Sequence, residues 1–261
     1  MKGKLNRLSR IISPRTQRSL VVAVDHGMAL GPLMGIIDIA KTLRELNDDA
    51  DAWLMTKGIL TYAYQPDGKT GIILRASGAT TISGPDLTEE DLTSSVEEAL
   101  FLGVDAVAVT AFIGSPHEHE TLKNMARLAE SCRRWDVPLV GVVGVGKNEE
   151  KMFDPRFLAL GARVVAEHGA DIVKTYYTPE GFDKVVAGCP IPVMIAGGPK
   201  CDTEVETLEM IFGALHDGAA GIVMGRNIWQ SPNPSKLIKI VRAMIHENLG
   251  LKDARERLEE E

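Results

Sequence analysis

Eight short apolar runs recur along this chain of 261 residues, and longer stretches separate each run from the next. The runs are rich in Val, Ile and Leu and show little polar alternation, which is typical of strands covered on both faces. They are Ser19–Asp25, Ala52–Thr56, Gly71–Arg75, Ala106–Ala111, Pro138–Val143, Asp171–Lys174, Pro192–Ala196 and Gly221–Met224.

The spacing of apolar residues predicts helices between several of these runs. Thr88 and Thr203 each precede acidic residues, as helix N-caps do. Gly103, Gly169 and Gly218 fall just past helical stretches, where a left-handed C-cap residue is expected. The predicted helices are Glu89–Phe101, Thr121–Arg134, Asp154–Glu167, Glu204–His216 and Pro234–Glu247.

Eight strands alternating with helices over about 250 residues predict an α/β fold, a single-domain (β/α)₈ TIM barrel spanning residues 1–261. The competing open, doubly wound sheet would carry a glycine fingerprint after its first strand. The chain has Asp25-His26-Gly27 there instead. Residues 1–17 form an N-terminal segment in this interpretation. The tail over about 250–261 is either a last helix or a frayed end.

Composition excludes several classes of partner. The formal charge of −7 and the pI near 5.5 argue against nucleic acid or an anionic membrane as the main partner. No apolar run reaches the roughly 18 residues of a spanning helix. The basic N-terminus lacks the apolar stretch of a signal peptide. Three cysteines without zinc-like spacing fit a reducing compartment, so we expect a cytoplasmic protein.

The carboxyl ends of barrel strands are where active sites gather, so polar residues there are candidates by position. Asp25 ends an apolar run and would be costly to bury unpaired. It could accept a proton or pair with a lysine, or simply cap the turn that follows. His26 could titrate near neutral pH, or its ring could be satisfied by the backbone.

Four strand-end lysines compete for the role of a reactive amine: Lys57, Lys147, Lys174 and Lys200. Only Lys174 is continuous with an apolar strand, where loss of solvation lowers the pKa of an amine and frees it to form a Schiff base. Lys147 and Lys200 lie in glycine-rich loops better suited to binding an anion. Tyr176 could donate a proton or could pack as an aromatic ring.

Two glycine segments on consecutive strands predict a phosphate site. Gly197 and Gly198 follow the seventh run, and Gly225 and Arg226 follow the eighth. Phosphates in TIM barrels often bind at these ends, because small residues let backbone N–H groups approach. Arg226 would add a charge-assisted contact.

No metal site is predicted. His117 and His119 are two residues apart, which does not place them on one helical face, and no carboxylate-rich strand end completes a set of ligands. Cys201 follows the glycine pair closely but has no partner for thiol catalysis in its motif.

Four motifs in order resemble the class I aldolases of the archaeal-type fructose-bisphosphate aldolase group, which are related to deoxyribose-phosphate aldolase. They are Val24-Asp25-His26-Gly27, Val173-Lys174-Thr175-Tyr176-Tyr177, Ala196-Gly197-Gly198-Pro199-Lys200 and Gly225-Arg226-Asn227-Ile228-Trp229-Gln230. The resemblance implies that Lys174 is the Schiff-base lysine, that Asp25 is the acidic residue of strand one, and that no cofactor is needed. It also implies that Gly197, Gly198, Gly225 and Arg226 hold phosphate.

One departure from that group lies after the fifth strand. Where the aldolases carry a Tyr-Pro-Arg-Gly segment with a general-acid tyrosine, this chain reads Val142-Val143-Gly144-Val145-Gly146-Lys147. The segment is more similar to the autoinducer-2 processing branch, whose thiolases move an acetyl group from a phosphorylated pentanedione to coenzyme A. Both branches imply a homo-oligomer, often a decamer.

The residues and the resemblance together predict an enzyme that attacks a small phosphorylated carbonyl compound with Lys174 and cleaves or forms a C–C bond. Asp25, assisted by Lys147 or a tyrosine, would move protons. The predicted reaction is that of an aldolase. The alternative is a thiolase reaction, with coenzyme A as co-substrate. Two further hypotheses compete with these: a sugar-phosphate-binding protein without turnover, and an isomerase with Asp25 as base.

Overall fold

The computed structural model describes residues 2–146 and 149–260, which form a closed barrel of eight parallel strands surrounded by helices. Each strand pairs with the next, and the first pairs with the last, so the predicted TIM barrel is confirmed. The strands are β1 Ser19–Ala23, β2 Ala52–Met55, β3 Gly71–Arg75, β4 Ala106–Phe112, β5 Leu139–Gly144, β6 Ile172–Thr175, β7 Val193–Ala196 and β8 Gly221–Met224. The apolar runs predicted their ends to within two residues.

Helices connect the strands on the outside of the barrel. The tail, for which a helix or a frayed end was expected, forms a helix from Leu251 to Glu259. The helices are Lys2–Leu8, Gly27–Leu30, Ile39–Leu46, Lys57–Tyr62, Val96–Phe101, Glu118–Arg134, Pro155–Glu167, Phe182–Ala187, Glu204–His216, Arg226–Trp229, Pro234–His246 and Leu251–Glu259, with a 3₁₀ turn over Glu149–Phe153.

Local capping explains several helix ends. The Thr203 hydroxyl accepts a hydrogen bond from the backbone N–H of Glu206, which satisfies one free donor of the first turn. Gly103, Gly169 and Gly218 adopt φ angles of 74°, 97° and 99°, so all three predicted C-cap glycines are confirmed.

The helix predicted over Glu89–Phe101 is wrong in its first half, because it begins only at Val96. Its N-cap is Ser95 and not Thr88. The preceding acidic residues are held by tertiary contacts: Asp91–Leu92 pairs antiparallel with Ser77–Gly78, and the Asp91 carboxylate accepts a hydrogen bond from Asn124. An acidic stretch that looks like a first helical turn is therefore part of the long β3–β4 connection.

The barrel interior is filled by alternate residues of each strand. Successive strand side chains point to opposite faces, so one set packs inside and the other packs under the helices. Ile11, wholly buried, joins the inner set from outside the strands. The inner set comprises Ile11, Val21, Ala23, Ala52, Leu54, Ile73, Ala106, Ala108, Val140, Ile172, Met194 and Val223.

The amino-terminal end of the barrel is closed by three aspartates. Asp51, Asp105 and Asp171 each precede a strand and accept a hydrogen bond from the backbone of the neighbouring strand. The pairs are Leu20 N with Asp51 Oδ2 at 2.7 Å, Ile72 N with Asp105 Oδ2 at 3.0 Å, and Leu139 N with Asp171 Oδ2 at 2.9 Å. Basic side chains complete the arrangement: Lys4 on Asp171, Arg10 on Asp105, and Arg242 and His246 on Asp51.

No helix in the described ranges is both long enough and apolar enough to cross a membrane.

Candidate active site

Every second residue of a strand points into the barrel. The inward residues that follow the apolar inner set form a further layer at the carboxyl ends of the strands, and several of them are polar. Ile172 lies in the inner set, so Lys174, two positions on, faces the barrel axis as well. The same period gives Asp25, Arg75, Thr110, Val142, Lys174, Ala196 and Gly225, all of which line one cavity of about 570 Å³ at the carboxyl ends of the strands.

Lys174 presents its amine to this cavity. Among the described residues, its Nζ has no hydrogen-bond partner. Burial lowers the pKa of Lys174; Asp25 opposes that effect, and Arg75 adds to it. A neutral amine is therefore more accessible to this lysine than to one in water, as nucleophilic attack on a carbonyl requires.

Asp25 lies at the centre of a charged chain. Its Oδ2 accepts a hydrogen bond from Arg75 Nη1 at 3.1 Å, and Arg75 Nη2 donates to both Glu90 carboxylate oxygens at 2.7 and 2.9 Å. Burial acts to raise the pKa of Asp25, but the positive charges of Lys174 and Arg75 outweigh it, so its pKa lies below the usual range. Asp25 is therefore a carboxylate near neutral pH.

Of the two sequence interpretations of His26, titration near neutral pH is contradicted by the low pKa of the ring, and its Nδ1 is not satisfied by the backbone of the described residues either. Burial lowers its pKa to about 4, and Asp25 only partly compensates. Its ring lies edge-on to Trp229, with centroids 5.5 Å apart, and its buried Nδ1 has no hydrogen-bond partner among the described residues. The ring is therefore neutral and lines the cavity as a polar wall.

The predicted phosphate residues come together at the β7 and β8 ends. Gly197, Gly198, Gly225 and Arg226 all line the cavity. Arg226 Nη2 donates to the Gly198 carbonyl at 2.8 Å, while its buried Nε has no partner in the described structure. A Cβ on Gly225 would lie 2.4 Å from the His26 ring, so only glycine fits there.

Asn227 forms hydrogen bonds with the backbone of the loop after β7. Its Nδ2 donates to the Gly197 carbonyl at 3.0 Å, and its Oδ1 accepts from the backbone N–H of Cys201 at 2.8 Å. The side chain is buried, at 4 % exposure. Asn227 therefore ties the loop after β7 to the chain after β8.

The wall at the end of β5 is apolar over the residues that the structure describes. Val142, Gly144 and Met152 line it. A Cβ on Gly144 would lie 2.5 Å from the Phe112 ring, so the ring occupies the space that a side chain would need. No tyrosine lies on this described wall.

The two tyrosines after β6 point to different places. Tyr176 lines the cavity, in keeping with its predicted location. Tyr177 instead packs edge-on to Phe182, and its hydroxyl donates to Asp217 at 3.5 Å. Burial raises the pKa of Tyr177, and this side chain does not line the cavity. Tyr176 is therefore the tyrosine of the site.

The other candidate lysines are not brought to this cavity by the described structure. Lys57 begins the helix after β2, where its Nζ donates to the Thr93 carbonyl and contacts Glu98 at 3.2 Å. Lys200 is exposed and lines a second, adjacent cavity. Lys147 lies outside the described residues. Lys174 differs from Lys57 and Lys200 because it lies within its strand and points into the barrel, whereas the other two lie beyond the ends of their strands.

The histidines of the β4 loop lie away from the cavity. His117 Nε2 is 3.9 Å from Asp86, and His119 is largely exposed. Over residues 2–146 and 149–260, no three His, Cys, Asp or Glu side chains are grouped as metal ligands would be. Cys201 is a free thiol lining the second cavity.

Sequence reasoning missed three residues of the site: Glu90, Thr110 and Asn227. Glu90 was interpreted as part of a first helical turn, and the inward period that identifies Thr110 was not applied to β4. Thr110 is buried, and its hydroxyl has no partner among the described residues. Asn227 belongs to the Gly-Arg-Asn motif but has a structural contact that only the fold reveals.

Comparison with known proteins identifies the group to which this site belongs. The profile of the DeoC/LacD family aldolases matches residues 19–231. A 3-hydroxy-5-phosphonooxypentane-2,4-dione thiolase of Enterobacter sp. (strain 638) is 41% identical over 252 residues, covering 97% of this chain and 84% of that protein. The protein of the same name from Photorhabdus laumondii is 42% identical over 246 residues, covering 94% and 83%.

Solved structures share the fold over nearly their full length. An archaeal fructose 1,6-bisphosphate aldolase has a TM-score of 0.82 and 31% identity, covering 94% of this chain and 99% of that chain. A Schiff-base-forming fructose-1,6-bisphosphate aldolase has a TM-score of 0.83 and 32% identity, covering 93% and 99%. The resemblance found in the four motifs is thereby confirmed.

Proposed function

This chain belongs to the DeoC/LacD family of aldolases, and we propose that it cleaves a phosphorylated dicarbonyl compound through an imine on Lys174 and passes the acyl group to coenzyme A. The observation that carries the proposal is the placement of the Lys174 amine. It is buried beside the Asp25 carboxylate, inside a cavity that is also lined by the glycines and the arginine suited to phosphate at the ends of the next two strands.

The first half of the reaction forms the imine. The substrate in the relatives' name carries carbonyls at C2 and C4, a hydroxyl at C3 and a phosphate on C5. Neutral Lys174 would add to C4, giving a carbinolamine, and loss of water would give a positively charged iminium. Asp25, ionised and close to the lysine, is suited to move the protons of these two steps.

The second half breaks the C2–C3 bond. The thiol of coenzyme A loses its proton to solvent, its thiolate adds to C2, and collapse of the resulting oxyanion breaks the C2–C3 bond and restores the C2 carbonyl as a thioester. The electron pair of the broken bond moves into the iminium, giving an enamine. Protonation at C3 and hydrolysis return free Lys174 and a three-carbon phosphorylated ketone.

The β5 wall favours acyl transfer over aldol cleavage. Aldol cleavage requires a base to remove a hydroxyl proton from the carbon that leaves. Thiolate addition creates the equivalent oxyanion without such a base. The described wall at the end of β5, lined by Val142, Gly144 and Met152, carries no titratable side chain. The identity of about 41% to the thiolases points in the same direction.

The phosphate would bind between the β7 and β8 ends. Arg226 is fixed on the Gly198 carbonyl, so its guanidinium is held beside backbone that carries no Cβ. The φ of 64° at Gly198 is one that residues with a side chain rarely adopt. These features support a phosphate site made of Gly197, Gly198, Gly225 and Arg226.

Aldol cleavage of a phosphorylated ketose is the second candidate. The observation in its favour is the match to archaeal aldolases over 99% of their chains, one of them with its catalytic lysine bound covalently to a carbinolamine. Asp25 and Tyr176 would then have to handle the hydroxyl proton.

A homo-oligomer in the cytoplasm is the proposed setting. Large apolar side chains are exposed at Tyr62 and Phe101, 89% and 91% respectively, which is unusual for a surface in contact with water alone. The three cysteines are free thiols, in keeping with a reducing compartment. Light scattering of the purified protein tests the assembly.

The decisive experiment compares two substrates. The enzyme is incubated with phosphorylated hydroxypentanedione, with and without coenzyme A, and separately with fructose 1,6-bisphosphate, and products are identified by mass spectrometry. We expect acetyl-coenzyme A from the dione and little turnover of the hexose. Faster cleavage of the hexose would establish the aldolase instead. Borohydride should trap the dione on Lys174, and a label on another lysine would refute the assignment.

A further inference from the structure

A second cavity of about 330 Å³ adjoins the first, within the size range of ligand sites, roughly 300–1,000 Å³. The two cavities share Met152, Tyr176 and the loop Ala196–Pro199. We propose that the second cavity receives the pantetheine arm of the thiol substrate and directs its sulfur to the imine on Lys174. This inference rests on the proposed acyl transfer.

The direction of approach supports the inference. Met152 and Tyr176 follow β5 and β6, whereas Gly225 and Arg226 follow β8. Lys174 lies on β6, next to β7, and the loop after β7 lines both cavities. With the substrate phosphate at Gly225 and Arg226, a thiol entering past Met152 and Tyr176 would reach the imine on Lys174 from the side of β5 and β6.

The lining suits a neutral, flexible arm with amide groups. Phe153, Pro199 and Met210 supply apolar surface for its methylene groups. Asp202 and Glu206 line the same cavity and can accept hydrogen bonds from amide N–H groups. The same two carboxylates would repel a phosphate placed inside, so the anionic end of the acceptor must stay outside.

Lys200 is the cation available for that anionic end. It is exposed and lines the second cavity, and its Nζ donates to the backbone carbonyl of Cys201 at 3.2 Å. An ammonium carries further donors after that one contact. Lys200 would therefore bind a phosphate of coenzyme A, on the other side of the glycine loop from Arg226.

The test is a comparison of acceptors in two variants. Lys200→Ala should raise KM for coenzyme A about fivefold and leave KM for pantetheine, which has no phosphates, unchanged. Phe153→Ala, at a side chain that is 60% exposed, should raise KM for both acceptors roughly threefold without risk to the fold. KM for the dione and its borohydride trapping on Lys174 should not change in either variant.

Matched controls are Lys184→Ala on the helix Phe182–Ala187 and Leu160→Ala, where 55% of the residue is exposed. Neither residue lines either cavity. Unchanged KM values for both acceptors in Lys200→Ala and Phe153→Ala, with acyl transfer intact, would overturn this inference alone. Absence of acyl transfer in the unaltered enzyme would overturn the proposed function and this inference together.

Discussion

The two ends of the barrel handle buried polar groups in opposite ways. At the amino-terminal end, Asp51, Asp105 and Asp171 accept backbone hydrogen bonds and carry cationic partners. At the carboxyl end, His26 Nδ1, Thr110 Oγ1 and Arg226 Nε are buried without a hydrogen-bond partner among the described residues. An unsatisfied buried polar group costs about 1–3 kcal/mol. The first end thus satisfies its buried polar groups within the fold, whereas the second leaves several of them unsatisfied beside the Asp25–Arg75–Glu90 ion pairs.

The largest expected effect is the loss of Lys174. Lys174→Ala should lower kcat/KM at least ~10³-fold, because the covalent step has no substitute, and borohydride should trap no substrate. Since burial disfavours the ammonium form, the free energy of unfolding should rise at neutral pH, and the gain should shrink as the pH rises toward the pKa of lysine in water. Urea unfolding at several pH values measures it. A variant that loses stability would contradict the contrast between the two ends.

Replacing one carboxylate at each end of the barrel by an amide sharpens the comparison. Asp51→Asn should lower the free energy of unfolding by about 2–4 kcal/mol, because His246 and Arg242 lose their charged partner. Activity per folded molecule should stay the same. Asp25→Asn should lower kcat by ~10²–10⁴, and it should also lower the free energy of unfolding by about 2–4 kcal/mol, because the buried Arg75 loses its charged partner. Urea unfolding measures the stability of each variant, and a loss of activity per folded molecule in Asp51→Asn as large as that in Asp25→Asn would contradict the comparison.

His26 gives the carboxyl end its own acid sensitivity. Its pKa is about 4 in the folded protein and about 6.5 when unfolded, so the unfolded state binds the proton first. The stability that the neutral ring contributes is complete above pH 6.5 and is lost as the pH falls through 4. This group should account for about 3 kcal/mol of that loss. His26→Gln should flatten the pH dependence of unfolding, whereas His119→Gln, at an exposed side chain, should follow the unaltered protein.

The smallest effect expected is a displacement of the pH dependence of imine formation. Imine formation requires the neutral amine, so its rate rises with pH through the pKa of Lys174. Asp25 raises that pKa and Arg75 lowers it. The rise should therefore move to lower pH in Asp25→Asn and to higher pH in Arg75→Gln, as read from borohydride trapping. Displacement of both variants in the same direction would show that the charges do not act on Lys174 in this way.

The barrel was predictable because its strands carry a strong local pattern. Each apolar run is buried on both faces, and no competing motif interrupts the alternation. The region around Glu89 was not predictable in this way. Its acidic residues satisfy the local rule for a helix start, yet Glu90 is drawn to Arg75, fifteen positions away in sequence. A tertiary ion pair replaced the local preference.

The site could be predicted in part from the same pattern. Lys174 and Asp25 follow apolar residues of the inner set at the two-residue period, which the sequence contains. Asn227 and the neutral state of His26 could not be found so. The contact of Asn227 depends on which loops face each other at the carboxyl end of the barrel. The neutral state of His26 depends on how far those loops bury its ring from water.

The contacts of Asn227 have a consequence for the energetics of binding. Its amide joins Gly197 to Cys201, and Arg226 adds a bond to Gly198, so the loop that separates the two cavities is already fixed before any ligand arrives. A loop that is rigid in the free enzyme loses little conformational entropy when it binds. Both substrates would therefore bind against the same preformed loop. Neither would lose binding free energy in ordering it, and neither would have to bind first.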